Sequence, residues 1–200
     1  ILDTQREDGS WPVIASSQVP DVDMTAMAIQ ALAPYYENAQ VKAAVDAALT
    51  FLAGAQNADG TFSEIPGTDA SAESTAQVIV ALTALGIDPT ADSRFVKSGV
   101  SVLDALCGFY VTGGGFRHTA GGELDGMATE QGYYALAAYY RLLAQKTSLY
   151  DMSDVAVQTA GTSYKKASGF WDFEDTGSNY RLLPTDKQIR IGEGFSDTTA

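Results

Sequence analysis

The sequence predicts an all-α repeat domain built from antiparallel helix pairs, and three observations carry that reading. A glycine, one further residue and an aromatic ring recur as Gly9-Ser10-Trp11, Gly60-Thr61-Phe62 and Gly114-Gly115-Phe116. Each ring is followed 13 or 14 residues later by a threonine, Thr25, Thr75 or Thr129, that opens an apolar helix. The rings stand 51 and 54 residues apart and the threonines 50 and 54, a period that marks stacked repeats.

Behind each threonine the copies match at helical spacing. Ala28, Val78 and Gly132 stand at +3, Ile29, Ile79 and Tyr133 at +4, Ala31, Ala81 and Ala135 at +6, and Leu32, Leu82 and Leu136 at +7. Offsets of 3, 4 and 7 bring side chains to one helix face. The first of these helices should stop near Pro34 and the second near Gly86, because proline cannot continue the hydrogen-bond ladder and glycine accepts the left-handed cap. A partner helix is expected from about Asn38 to Gln56, with Val41, Val45, Ala48, Leu49 and Leu52 apolar. Its counterpart should span Ser93 to Phe109, with Phe95, Val96, Val100, Leu103 and Leu106 apolar. One more period lands on Phe170 beside Gly169, with 148–159 as the helix before it, but no threonine-led helix follows near Leu183. The expected organisation is therefore repeats over 1–160 and a cap or linker over 161–200.

Composition narrows the function classes. With 46% hydrophobic residues the chain can bury a sizeable core. Twenty-five acidic against 12 basic residues give a net charge of −13, which disfavours nucleic acid and suits a self-repelling soluble or extracellular protein. Every apolar stretch is interrupted by polar residues, so no membrane insertion is expected. Cys107 is the single cysteine, excludes an internal disulfide and is expected to be buried in its helix. The chain opens at Ile1-Leu2 just ahead of Gln5, inside a repeat, as expected for a piece of something longer.

Gln5-Arg6-Glu7-Asp8-Gly9-Ser10-Trp11 is a full Gln-x3-Gly-x-Trp, and Gln56, Gly60 and Phe62 repeat it with phenylalanine. These segments resemble the QW motifs of the squalene cyclase and prenyltransferase repeat superfamily, which implies an incomplete α/α toroid over residues 1–145. In that family the glutamine amide ties one helix end to the next helix start; an amide can bond both a donor and an acceptor. The third copy has no glutamine ahead of Gly114, so its clamp is expected to be weaker or replaced. The runs Asp23–Ala28, Glu73–Leu82 and Met127–Gln131 are also similar to bacterial cell-surface proteins with prenyltransferase-like repeats, and more distantly to the helical domain of the cobalamin carriers intrinsic factor and transcobalamin. That likeness implies a secreted or wall-attached binding or adhesion module without a cofactor, its ring completed by further domains of the parent chain.

Pro20-Asp21-Val22-Asp23-Met24-Thr25-Ala26 is similar to the Asp-x-Asp-Asp-Thr-Ala motif of class II terpene cyclases, which maps the general acid onto Asp23. Here Met24 replaces the last aspartate, and methionine offers an acid little support. The competing reading makes Asp21 or Asp23 a helix cap, matched by Asp69 or Ser71 and by Asp125 in the other copies. Metal binding is not expected, with only Cys107 and His118 available and no paired ligand spacing; His118 is expected in a loop. Nucleophilic catalysis lacks a Gly-x-Ser-x-Gly and a second histidine. The glycines at 113–115 are expected to form a tight turn.

A binding site, if present, belongs where the threonine-led helices gather their N-termini, with free N–H donors and partial positive charge. The candidate rim is Asp21, Asp23, Thr25, Glu73, Ser74, Thr75, Gln77, Thr129, Glu130 and Gln131, with Tyr133 and Tyr134 as walls, and its expected ligand is a small polar molecule of corrinoid type. Two other readings stay open at this stage, in which the threonines and tyrosines serve packing and the domain is a spacer, or Asp23 is a cyclase acid.

Overall fold

The computed structural model describes residues 1–155, 171–175 and 180–184. The chain divides into two compact units, Ile1–Met152 and Ser153–Ala200. In the first unit α1 (Val22–Leu32), α2 (Ala39–Ala55), α3 (Ala72–Ala84), α4 (Val102–Cys107) and α5 (Gly126–Leu143) are joined by turns and short strands.

Local chemistry sets the helix ends. Asp21 caps α1 by accepting the Met24 N–H at 2.7 Å, and Pro34 falls in the 3-10 turn Ala33–Tyr35 that ends it. Asn38 caps α2 through the Gln40 and Val41 N–H groups, and Gln56 is its C-cap, so the expected Asn38–Gln56 helix forms. Ser71 caps α3 through Ser74, and Asp125 caps α5 through Ala128. At the end of α3, Gly86 turns left-handed at φ 73° while Gly86 N–H and Ile87 N–H return to Thr83 and Leu82 carbonyls. That closes the last turn with a double cap.

The expectation of an all-α domain is corrected by the strands. Alongside about 48% helix, the first unit holds five strands in two antiparallel sheets, so its class is mixed α and β. Where one helix was expected over Ser93–Phe109, a 3-10 turn leads into β1 (Val96–Lys97) and β2 (Val100–Ser101), and only then α4. Ser98 and Gly99 both have positive φ, 51° and 82°, the conformation of a two-residue hairpin turn. Ser101 and Asp104 then start α4 with a reciprocal capping box. Phe95, Val102 and Leu106 are buried all the same, which is why apolar spacing alone suggested one helix. Cys107, the last residue of α4, is exposed rather than buried.

In the third copy, which lacks the glutamine, the ring segment lies in a second sheet. β3 (Tyr110–Val111), β4 (Gly115–Arg117) and β5 (Leu124–Asp125) pair in order, placing Phe116 opposite both Tyr110 and Asp125. The turn at 112–114 carries Gly113 at φ 76°. In the other copies the same pairing shrinks to single bridges, Trp11 with Asp21 and Phe62 with Ser71.

The threonine-led helices lie in a row, α1 beside α3 and α3 beside α5, with α2 packed on α1 and α4 on α3. Every residue of α3 from Ala72 to Thr83 is buried, so this helix is the core of the unit. Gly132 lets α5 approach its ring: a Cβ there would stand 2.4 Å from Phe116. Residues 148–155 form turns rather than the start of the helix expected over 148–159 to lead a fourth repeat, and 156–159 lie outside the described residues. Gly169 and Phe170, expected to open that repeat, lie outside the described residues. In the second unit β6 (Trp171–Asp175) and β7 (Tyr180–Pro184) form an antiparallel hairpin, with Trp171 opposite Pro184 and Asp175 opposite Tyr180. Among the described residues no helix is long and apolar enough to cross a membrane.

Candidate functional site

The threonines belong to the scaffold. Thr25 Oγ1 accepts the Trp11 N–H at 2.9 Å and donates to the Asp21 carbonyl at 2.6 Å. Thr75 does the same between the Phe62 N–H (3.1 Å) and Ser71 carbonyl (2.8 Å). Thr129 accepts the Phe116 N–H at 3.0 Å and donates back to the Phe116 carbonyl at 3.3 Å. All three are buried, with the hydroxyl proton and an acceptor site spent on backbone, so each sews an aromatic segment to the helix after it. The glutamines add a second stitch. Gln5 Nε2 donates to Gly9 and Ala44 carbonyls, and Gln56 Nε2 to Gly60 and Phe95 carbonyls.

The remaining rim residues divide by position. Asp21 is consumed as the α1 cap, and Ser74 accepts a hydrogen bond from the Ser71 hydroxyl. Glu130 is exposed, and Tyr133 packs edge-on against Phe116 at 5.7 Å. Gln77, Gln131 and Tyr134 converge. Gln77 Nε2 donates to Gln131 Oε1 at 3.2 Å and makes a short bond to the Tyr134 hydroxyl, which also bonds Gln131.

Gln30 of α1 extends this group, donating from Nε2 to the Gln77 carbonyl at 3.2 Å and to Gln77 Oε1 at 3.0 Å. Both partners are acceptors, which fixes the orientation of the Gln30 amide and leaves its Oε1 with no donor among the described residues. One polar belt thus runs from α1 across α3 to α5. Gln30 was absent from the sequence-derived rim, yet the signal was there: it sits at +5 from its threonine, as Tyr134 does, while Gln77 and Gln131 share +2. At the α1 end of the belt a cleft of about 420 Å³ is bounded by Gln30, Pro34, Val80, Leu149, Tyr150 and Asp151.

Asp23 and Glu73 occupy the same repeat position, two before the threonine, and behave differently. Glu73, 8% exposed, holds His118 Nδ1 at 2.8 Å, and the His118 carbonyl accepts the Ala72 N–H at 2.9 Å. His118 is thus a loop residue, as expected, that ties the third repeat to α3. Asp23 has no cation beside it among the described residues. Burial, reinforced by the negative charges of Asp21, Glu64 and Glu73, raises its pKa to about 6 against the opposing Ser74 hydrogen bond. Its Oδ1 is buried and has no hydrogen-bond partner among the described residues. Tyr134 is likewise pushed up, chiefly by burial and then by Tyr150, Glu130 and Asp23, which places its hydroxyl within electrostatic reach of all three.

Chemically, the belt offers amide donors and acceptors, a phenol that stays protonated and a carboxyl that titrates near neutrality. It presents no imidazole and no thiol, and among the described residues no cluster of three His, Cys, Asp or Glu side chains is placed to hold a metal ion. Compared with protein-family models and with curated proteins, the chain matches none.

Proposed function

We propose that this chain is a non-catalytic binding module of a secreted or cell-surface bacterial protein, which captures a small polar ligand on the belt formed by Gln30, Gln77, Gln131 and Tyr134, with Asp23 beside it. The observation that carries this reading is a single hydrogen-bonded run across three helices that ends at an amide oxygen without a donor and borders a cleft of about 420 Å³. Amide carbonyls and N–H groups recognise ligands rich in the same groups, and a corrinoid periphery is of that kind. The likeness of the runs Asp23–Ala28, Glu73–Leu82 and Met127–Gln131 to cell-surface repeat proteins, and more distantly to cobalamin carriers, supports the same ligand class and an extracellular setting. The threonines contribute by holding the helices, not by contacting ligand.

The cyclase reading has one observation in its favour, the raised pKa and unpartnered oxygen of Asp23. It also requires an enclosed, water-free, aromatic cavity over the acid, because carbocations react with water. The three clefts described along this unit are bounded by residues other than Asp23. Binding therefore accounts for more of the site.

The test is a native mass spectrum of the protein isolated from its own organism. A corrinoid or other amide-rich polar molecule that is retained by the wild type and lost in Gln77→Leu supports the reading. A retained isoprenoid would transfer the case to Asp23, and an apo mass with no uptake of added hydroxocobalamin would remove the corrinoid assignment.

A further inference from the structure

The row of threonine-led helices ends at α1 with a face whose natural occupant can be read from the helices behind it. Counted from each threonine, positions −1, +2 and +6 form one stripe. In α3 it is Ser74, Gln77 and Ala81, all buried, and in α5 it is Ala128, Gln131 and Ala135, buried except for a half-buried Gln131. In α1 it is Met24, Met27 and Ala31, with Met27 43% exposed and Ala31 exposed. Positions −3, +1, +4 and +8 form the opposite stripe. That stripe is covered in α1 (Val22, Ala26, Ile29, with Ala33 half-buried) and α3 (Ala72, Ala76, Ile79, Thr83), but in α5 Gly126, Glu130 and Ala137 are exposed and Tyr133 is half-buried. Each helix therefore turns its first stripe to the helix before it and its second to the helix after it. The bonds from Gln30 of α1 to Gln77, at +2 of α3, run across that junction.

Backbone bonds repeat the same register. The N–H at −3 of each covered helix donates to a carbonyl two residues past the ring of the next copy, Val22 to Glu64 at 2.8 Å and Ala72 to His118 at 2.9 Å. The matching carbonyl in the first copy belongs to Val13, and it accepts no hydrogen bond among the described residues. Trp11, Val13, Met24, Met27, Ala28 and Ala31 border an apolar cleft of about 310 Å³ on this face.

We propose that this face of α1 is a docking surface for one further threonine-led helix pair, whose helix carries a small residue at +1 and a branched apolar residue at +4 and whose first N–H bonds the Val13 carbonyl. The two junctions inside the chain specify those features, since Ala26 with Ile29 and Ala76 with Ile79 fill them there. α5 of a second copy does not meet them, because Glu130 at +1 would bring an unpaired carboxylate against Met24 and Met27. The inference concerns repeat packing and is independent of the ligand reading.

The test extends the chain with a repeat it already contains. Residues 20–55 are joined ahead of Gln5, so that the added copy of α2 runs into Gln5 as α2 itself runs into Gln56. Neighbouring repeats stabilise one another through their shared interface, so the extended chain should melt about 5 °C or more above the wild type. Peroxide oxidation of Met27, followed by peptide mass spectrometry, should slow at least several-fold while Met127, 65% exposed, reacts as before. Placing glutamate at the Ala26 position of the added copy should abolish both changes. An extended chain that fails to fold, melts no higher, or leaves Met27 equally reactive overturns the proposal. So does sedimentation showing the wild type to self-associate through a contact that Met27→Glu breaks, since that would give the face to a second copy.

Discussion

The threonine clamps and the amide belt lie on the same three helices and use similar polar groups, yet they differ in completeness. In the clamps, Thr25, Thr75 and Thr129 each join a ring-bearing segment to a helix and leave the hydroxyl proton bonded. In the belt, Gln30 ends with an oxygen lacking a donor, and Asp23 with a buried oxygen lacking a partner. Fully bonded buried polar groups specify structure, but an open atom does not by itself mark a ligand group, since Gln56, a stitch of the scaffold, also keeps a buried Oε1 without a partner among the described residues. What sets the belt apart is that its open oxygen ends a run across three helices beside a cleft of about 420 Å³.

The comparison breaks most sharply at the glycines behind the clamps. In Gly9→Ala a Cβ would lie 2.5 Å from the Ala47 carbonyl oxygen at φ 88°, a clash with backbone in a left-handed conformation. We expect a loss of about 3 kcal/mol in chemical denaturation. Gly60→Ala, whose nearest neighbour would be the Val100 side chain at 3.2 Å, should cost less. Next in size, Thr75→Val removes the acceptor of the Phe62 N–H and the donor to the Ser71 carbonyl while keeping volume, at about 2 kcal/mol. A Thr75→Val protein as stable as wild type would remove the clamp from the account.

Asp23 sharpens the belt side through pH. Its folded pKa of about 6 lies above the ordinary 3.8, so the folded state binds the extra proton. The stability linked to this group is fully present below pH 3.8 and is lost as pH rises through 6. Asp23→Asn mimics the protonated form and should exceed the wild type in stability at pH 7.5, by on the order of 2 kcal/mol for a half-buried carboxyl, with the gap closing by pH 4. A gap independent of pH would show that burial is not acting through ionisation. The smallest stability effect is expected from Gln30→Leu, under about 1 kcal/mol, because its amide bonds only another side chain and one carbonyl already engaged at the belt.

Much of the scaffold was legible because capping and periodicity are local. Asn38, Gln56, Pro34 and Gly86 mark helix ends by their own backbone chemistry, and the repeat spacing located α1, α3 and α5. The strands were not legible. Phe95, Leu103 and Leu106 have helical spacing, and only the turn at Ser98-Gly99 decides that part of the segment is a hairpin. Cys107 looked buried for the same reason. Within the site, residue type and spacing identified Gln77, Gln131 and Tyr134, but not direction. A threonine that opens a helix can turn its hydroxyl to ligand or to the preceding strand, and here the free N–H of each aromatic residue claims it. Asp21 and Asp23 were likewise equivalent in sequence, and the fold assigns the cap to Asp21 and the buried, uncapped carboxyl to Asp23.

The measurement that bears most directly on the central claim is a paired one on the double variant Gln30→Leu/Gln77→Leu: its melting temperature and its retention of ligand in native mass spectra, beside the wild type. The account predicts a melting temperature within about 4 °C of wild type and complete loss of the retained molecule. A variant that keeps the molecule, or one destabilised as much as Thr75→Val is expected to be, would place the belt with the clamps as scaffold and contradict the claim.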